Sequence, residues 1–261
     1  MKQAIAIPVP APQAVSVLGV PVVPFESYEQ AVRYVAEAVE KQTPSFWVAV
    51  NPQKVHRALH DPELMEVLRQ ADAGICDGVG VSLASRILNG RSIPRCTGCD
   101  LFLKLIELAA ERGWGVFLLG ASPQSNQGAA QKLQERYPGL RIVGRQDGFF
   151  KDDQAVIRQI NDSGADLLFV AMGTPRQEKW IRRHRGQIQA SFCMGVGGSF
   201  DVASGTARRA PKLMQWMGTE FLYQLVTQPG RWKRQIVYFP FVARVIGQRL
   251  ARIFHKETPT A

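Results

Sequence analysis

Short apolar runs alternate with longer segments of helical period over most of this chain. Residues 46–50, 71–75, 115–119, 141–144, 166–172 and 191–196 read as strands, several of them apolar at nearly every position. Between them, residues 53–69, 101–112, 122–136, 152–163 and 176–185 carry apolar residues at the 3.6-residue spacing of a helix. Strands joined by crossovers of that length pair parallel, and a parallel sheet needs cover on both faces, which explains why its strands are not half polar. The pattern predicts an α/β fold built from βαβ units.

That fold is expected to be a mostly parallel, Rossmann-like sheet flanked by helices, preceded by a short strand at 15–18 and a helix at 28–41. Three regions are expected. A Pro/Ala-rich leader covers 1–14, an α/β core 15–210, and a helical basic appendage 211–261. A hydrophobic content of 46% with 21% charged residues excludes a disordered chain. Pro8, Pro10 and Pro12 break the only apolar run near the start, so no signal peptide is expected, and no stretch of about twenty apolar residues predicts a spanning helix.

Charge is uneven. The chain carries +10 overall, and from Arg208 to Lys256 the only acid is Glu220. A basic end on a near-neutral body points to nucleic acid, anionic lipid or a phosphorylated substrate. Past Pro211 consecutive helices are expected at 211–217 and 219–226, then one opened by Pro229 and interrupted by Pro240. In 241–254, Phe241, Val242, Val245, Ile246, Leu250, Ile253 and Phe254 form one face, with Arg244, Arg249 and Arg252 mostly off it. Such a helix suits a membrane surface. Packing on its own domain or on a second subunit, in a homo-oligomer, is the competing reading.

In open parallel sheets the ligand sits at the carboxyl ends of the strands. Asn51, Asp77-Gly78, Gly120, Gly173-Thr174-Pro175 and Gly197-Gly198 all fall there. Asp77 can accept a proton from a hydroxyl nucleophile, or it can cap the helix that follows. Pro175 fits the first position of a helix whose free N–H groups hold an anion. Gln177 can donate to a carbonyl or sugar hydroxyl, and Glu178 either serves a ligand or favours the helix dipole. The Gly197-Gly198 turn, with Asp201 beyond it and Arg208 and Arg209 following, reads as a phosphate-binding rim. Arg95 holds a phosphate or is an exposed loop charge. Cys96-x-x-Cys99 invites a zinc or redox reading, but with no second pair and no nearby histidine the four cysteines read as reduced thiols. No glycine fingerprint follows the first strand, which argues against an oxidoreductase. A nucleotide- or RNA-binding module is a second reading, drawing on Trp216, Tyr223, Trp232 and Tyr238 among the basic residues.

Taken together, NPQKVHRALHDPEL (51–64), ADAGICDGVGVSLASR (71–86), GVFLLGASP (115–123), RYPGLRIVGRQDGFF (136–150), GTPRQEKWI (173–181) and GVGGSFDVASGTARRAP (195–211) resemble, in order and spacing, the WecG/TagA/CpsF glycosyltransferases, family 26. The resemblance implies an inverting transfer of a sugar from a UDP-sugar, commonly UDP-N-acetylmannosamine or its uronic acid, to a polyprenyl-diphosphate-linked acceptor. It implies a cytoplasmic enzyme, peripheral at the inner face of the bacterial plasma membrane, that needs no metal or other cofactor and has no nucleic-acid partner. By motif, Asp77 matches the family's base, and Asn51, Arg95 and Gln177 its ligand-binding polar residues. Arg231 and Arg234 match the appendage arginines that close over the diphosphate. Gly78, Glu178, Gly197, Gly198, Asp201, Arg208 and Arg209 complete the expected donor site. Phe221 and Gln224 stand where the family usually has Trp and Arg, so a related neutral hexose donor is also compatible.

Overall fold

The computed structural model describes residues 12–211, Met214, Tyr223 and 236–254. The leader to residue 11, the helix expected at Pro229, and Arg231, Arg234, Phe221 and Gln224 lie outside the described residues, as does most of the stretch expected to form helices at 211–226.

The order of elements is β1 (Val15–Val17), β2 (Val20–Val22), α1 (Tyr28–Glu40), β3 (Ser45–Val50), α2 (Pro52–Ala58), α3 (Pro62–Arg69), β4 (Ala73–Cys76), α4 (Val79–Asn89) and α5 (Gly98–Arg112). There follow β5 (Gly115–Gly120), α6 (Pro123–Arg136), β6 (Arg141–Gln146), α7 (Asp153–Asp162), β7 (Leu167–Ala171), α8 (Arg176–His184), β8 (Phe192–Gly195), α9 (Ser199–Ala203) and α10 (Tyr238–Phe254). Strands β3 to β8 form one parallel six-stranded sheet in the order β4-β3-β8-β7-β5-β6. The α/β expectation therefore holds.

Its strands alternate between two cores, as the pleat requires. Phe46, Val48 and Val50 of β3 join one cluster with Phe117, Leu119, Leu168 and Val170; Trp47 and Ala49 join the other with Val116, Leu118 and Phe169. Helix starts follow local chemistry. Asn51, Asp61, Ser122 and Asp152 each accept a backbone N–H of the first turn, and Pro52, Pro62 and Pro123 open the first three of these helices, where no intrahelical donor is lost.

Three features differ from expectation. The expected first strand is half of an antiparallel hairpin, β1 with β2, forming a separate two-stranded sheet. Its turn is Leu18-Gly19, both at positive φ, which suits the twist of a two-residue hairpin. Pro240 does not interrupt the last helix; it is the third residue of α10, in the first turn, where its missing N–H has no intrahelical partner to lose. The apolar face expected along this helix is also divided in two. Phe241 and Val245 are buried in the core, while Phe239, Val242, Ile246, Leu250 and Ile253 form a separate exposed stripe.

Candidate active site

Strand order decides what meets at the carboxyl edge. Because β4, β3, β8 and β7 are neighbours, Asp77, Asn51, the Gly197 turn and Gly173-Thr174 come together although they are spread over 147 positions from Asn51 to Gly198. A cavity of about 290 Å³ opens there. Asn51, Asp77, Gln177, Gly197, Gly198, Asp201, Arg208 and Arg209 all line it. Among the expected residues, Gly78, Arg95 and Glu178 are not in its wall.

Asp77 continues β4, its N–H donating to the Val50 carbonyl at 2.9 Å. Its side chain is held from two sides: Asn51 Nδ2 donates to Oδ2 at 3.3 Å, and the Gly98 N–H donates to Oδ1 at 3.2 Å. Asn51 has two tasks, since its Oδ1 also caps α2 by accepting the Lys54 N–H at 2.9 Å. A half-buried carboxylate with one donor on each oxygen keeps acceptor capacity for a substrate hydroxyl. The helix cap after Asp77 is Gly78, at φ +113°, with no side-chain hydrogen bond, so Asp77 is not spent as a cap.

Gln177 sits differently from expectation. Pro175 precedes α8 rather than opening it, and the Gln177 N–H is taken by the Gly173 carbonyl at 3.0 Å. Its Oε1 accepts from the N–H groups of both Gly173 and Gly197, each at 3.1 Å, and its Nε2 donates to Glu178 Oε1 at 2.7 Å. Gln177 is thus a clasp that ties the two glycine turns together. A Cβ on Gly195 would lie 2.6 Å from Gln177 Nε2, so the clasp also needs a glycine there.

Glu178 is fully buried behind this clasp and pairs with Lys54 Nζ at 2.7 Å, across 124 residues; Thr174 Oγ1 donates to the same oxygen at 3.2 Å. Lys54, itself 4% exposed, reaches the cavity wall. The pair joins α2, which follows β3, to α8, which follows β7, and so spans the end of β8 between them. Sequence reading missed Lys54. One turn into a helix, a lysine carries no local sign that it faces inward, and its partner is remote.

Arg209, also in the cavity wall, makes a two-pronged pair with Asp100, one prong at 2.9 Å. Asp100 also accepts from Thr97 Oγ1 at 2.7 Å and Tyr28 Oη at 3.2 Å. Burial alone would raise the Asp100 carboxyl, but its bonds to Arg209, Thr97 and Tyr28 bring it below the ordinary carboxylate range. Tyr28 is pushed up to about 12, chiefly by burial. Arg209 is therefore anchored at the rim, and Arg208 is the exposed cation of the pair. Arg95 lies half-buried near Cys76, whose thiol it favours in the ionised form against a dominant burial effect.

The thiols fit a structural role. All four cysteines are free, and burial pushes Cys76, Cys96 and Cys193 up to about 12. Among the described residues no three His, Cys, Asp or Glu side chains converge as a metal-binding set.

A parallel sheet whose carboxyl edge gathers an oriented carboxylate, a glycine turn and arginines around a cavity is the arrangement of a Rossmann-like enzyme. The family profile described as "Glycosyl transferase WecG/TagA/CpsF family" matches residues 15–254, and the chain belongs to that family. It is a glycosyltransferase. Two similar curated proteins carry the name N-acetylglucosaminyldiphosphoundecaprenol N-acetyl-beta-D-mannosaminyltransferase. The one from Bacillus subtilis (strain 168) is 37% identical over 187 residues, covering 72% of this chain and 73% of its own. The one from Bacillus spizizenii is 34% identical over 202 residues, covering 77% and 79%.

Proposed function

We propose that the protein transfers N-acetylmannosamine, or a closely related hexose, from its UDP-sugar to a polyprenyl-diphosphate-linked N-acetylglucosamine, with inversion, during bacterial cell-envelope polymer synthesis. The observation that carries this is the Asp77 carboxylate, held by Asn51 and Gly98, in one cavity with the Gly197 turn and Arg208. The names of the two relatives supply the donor sugar and the acceptor.

In this reading Asp77 removes the proton of the acceptor hydroxyl as that oxygen attacks the anomeric carbon. The bond from that carbon to the UDP oxygen breaks, and UDP leaves with the extra negative charge. Arg208, which lines the cavity, is the group expected to meet that charge, and such a preorganised donor is worth roughly 3 kcal/mol of barrier. Stabilisation by arginine requires no metal, so transfer is expected to persist in chelator.

The enzyme is expected to work at the inner face of the plasma membrane, docked through the exposed stripe on α10 with Arg249 beside it. No helix among the described residues is long and apolar enough to cross a membrane. The direct test is a screen of UDP-sugars against a short-chain polyprenyl-diphosphate N-acetylglucosamine, with transfer and donor hydrolysis followed separately. Transfer from UDP-N-acetylmannosamine is the expected result, and turnover with none of the UDP-sugars would overturn the reading.

A further inference from the structure

A second cavity, of about 970 Å³, adjoins the first and is continuous with its wall: Asn51, Lys54, Thr174, Gly197 and Gly198 line both. We infer that this second cavity is the seat of the acceptor's diphosphate. The inference rests on the transferase reading above and adds a place for a group that the reading leaves unplaced.

Direction is the first argument. In an inverting displacement the incoming hydroxyl and the leaving group lie on opposite faces of the sugar carbon. Arg208 and Arg209 line only the first cavity, so the leaving diphosphate belongs on that side. Asn51, which touches Asp77, lies in the wall common to both. Asp77 itself lines only the first cavity, so an acceptor lodged in the second reaches it across this common wall.

Charge is the second. His56, Arg57 and His60 line this cavity from α2 and the turn after it. Among the described residues the one carboxylate in its wall, Asp61, is already committed, to Lys179 Nζ at 2.9 Å and to the Leu64 N–H at 3.0 Å. The His56 and His60 rings lie 4.7 Å apart. Burial, then His60, then Arg244 of α10, hold the His56 imidazole below its ordinary value. His56 Nδ1 is buried and has no hydrogen-bond partner among the described residues. A dianionic diphosphate supplies acceptors for these groups and a charge opposite to that of Arg57.

The third argument is the route. Val237, the residue before α10, is part of this wall. The exposed apolar stripe of α10 begins two residues later at Phe239. A lipid tail leaving the second cavity thus meets an apolar surface at once.

The test compares two acceptors, a short-chain polyprenyl-diphosphate N-acetylglucosamine and the octyl glycoside of N-acetylglucosamine, which lacks the diphosphate. The enzymes are the unaltered chain, His56→Gln/His60→Gln, and His60→Gln alone, whose exposed side chain leaves the fold unchallenged. The double variant should raise KM for the diphosphate acceptor roughly tenfold or more, as expected for lost hydrogen bonds to a charged group, and the single variant by less. KM for the octyl glycoside and the thermal shift given by UDP should not move. An unchanged KM for the diphosphate acceptor overturns the inference alone. A UDP shift lost in parallel also overturns it, by showing that the cavity holds donor phosphates. If the unaltered enzyme transfers to neither acceptor, the transferase reading itself fails and takes this inference with it.

Discussion

Asp77 and Lys54 show how differently two charged residues of one cavity are built. Asp77 follows a strand, and its carboxylate is oriented by one donor on each oxygen. Asp77→Asn keeps the shape and removes the basicity, so transfer should fall by roughly 10²–10⁴, with the UDP thermal shift retained; turnover near the original rate would show that another group is the base. Lys54 is held by Glu178 in a nearly dry environment. Breaking a buried pair from one side leaves an uncompensated charge. Lys54→Met is therefore expected to cost about 3–5 kcal/mol in urea unfolding, and Lys54→Met/Glu178→Gln to recover much of it. A loss below about 1 kcal/mol would mean the pair is solvated in solution. Asp77 was legible in the sequence because strand, acid and glycine are contiguous. Lys54 was not, because its burial depends on a partner 124 residues away.

At the scale of elements, α10 is the instructive case. Its apolar period was visible in the sequence, but periodicity gives only the presence of a face, and two apolar strips at neighbouring angles read as one. Contact with α2 and α4 separates them. Phe241 and Val245 are core residues, whereas Val242, Ile246 and Leu250 are about half exposed. The two strips should respond oppositely. Phe241→Ala should destabilise the fold by roughly 3–5 kcal/mol. Ile246→Asp/Leu250→Asp should leave the unfolding midpoint unchanged while reducing co-sedimentation with anionic vesicles several-fold. Equal vesicle binding by this variant and the unaltered chain would remove α10 from the membrane proposal.

For the whole molecule, buried weak acids set the alkaline limit. Cys76, Cys96 and Cys193 rise from 9 to about 12 in the folded state and Tyr28 from 10 to about 12. Between pH 9 and 12 the unfolded chain releases these protons while the folded one keeps them. The unfolded state then binds fewer protons, so stability falls as pH rises through that window and is fully present below it. Urea midpoints measured from pH 8 to 11 should decline, and less steeply in Tyr28→Phe; a flat profile would contradict the burial of these groups. The alternation of strand and helix, the basic end and the polar residues at strand ends were all determined by the sequence alone, because each is a matter of neighbours in the chain. The order β4-β3-β8-β7, the Gln177 clasp, the Lys54–Glu178 pair and the anchoring of Arg209 by Asp100 were decided only by the tertiary structure. Each of these joins groups far apart in sequence, and which distant groups meet follows from how the sheet is ordered and packed, which no local pattern encodes.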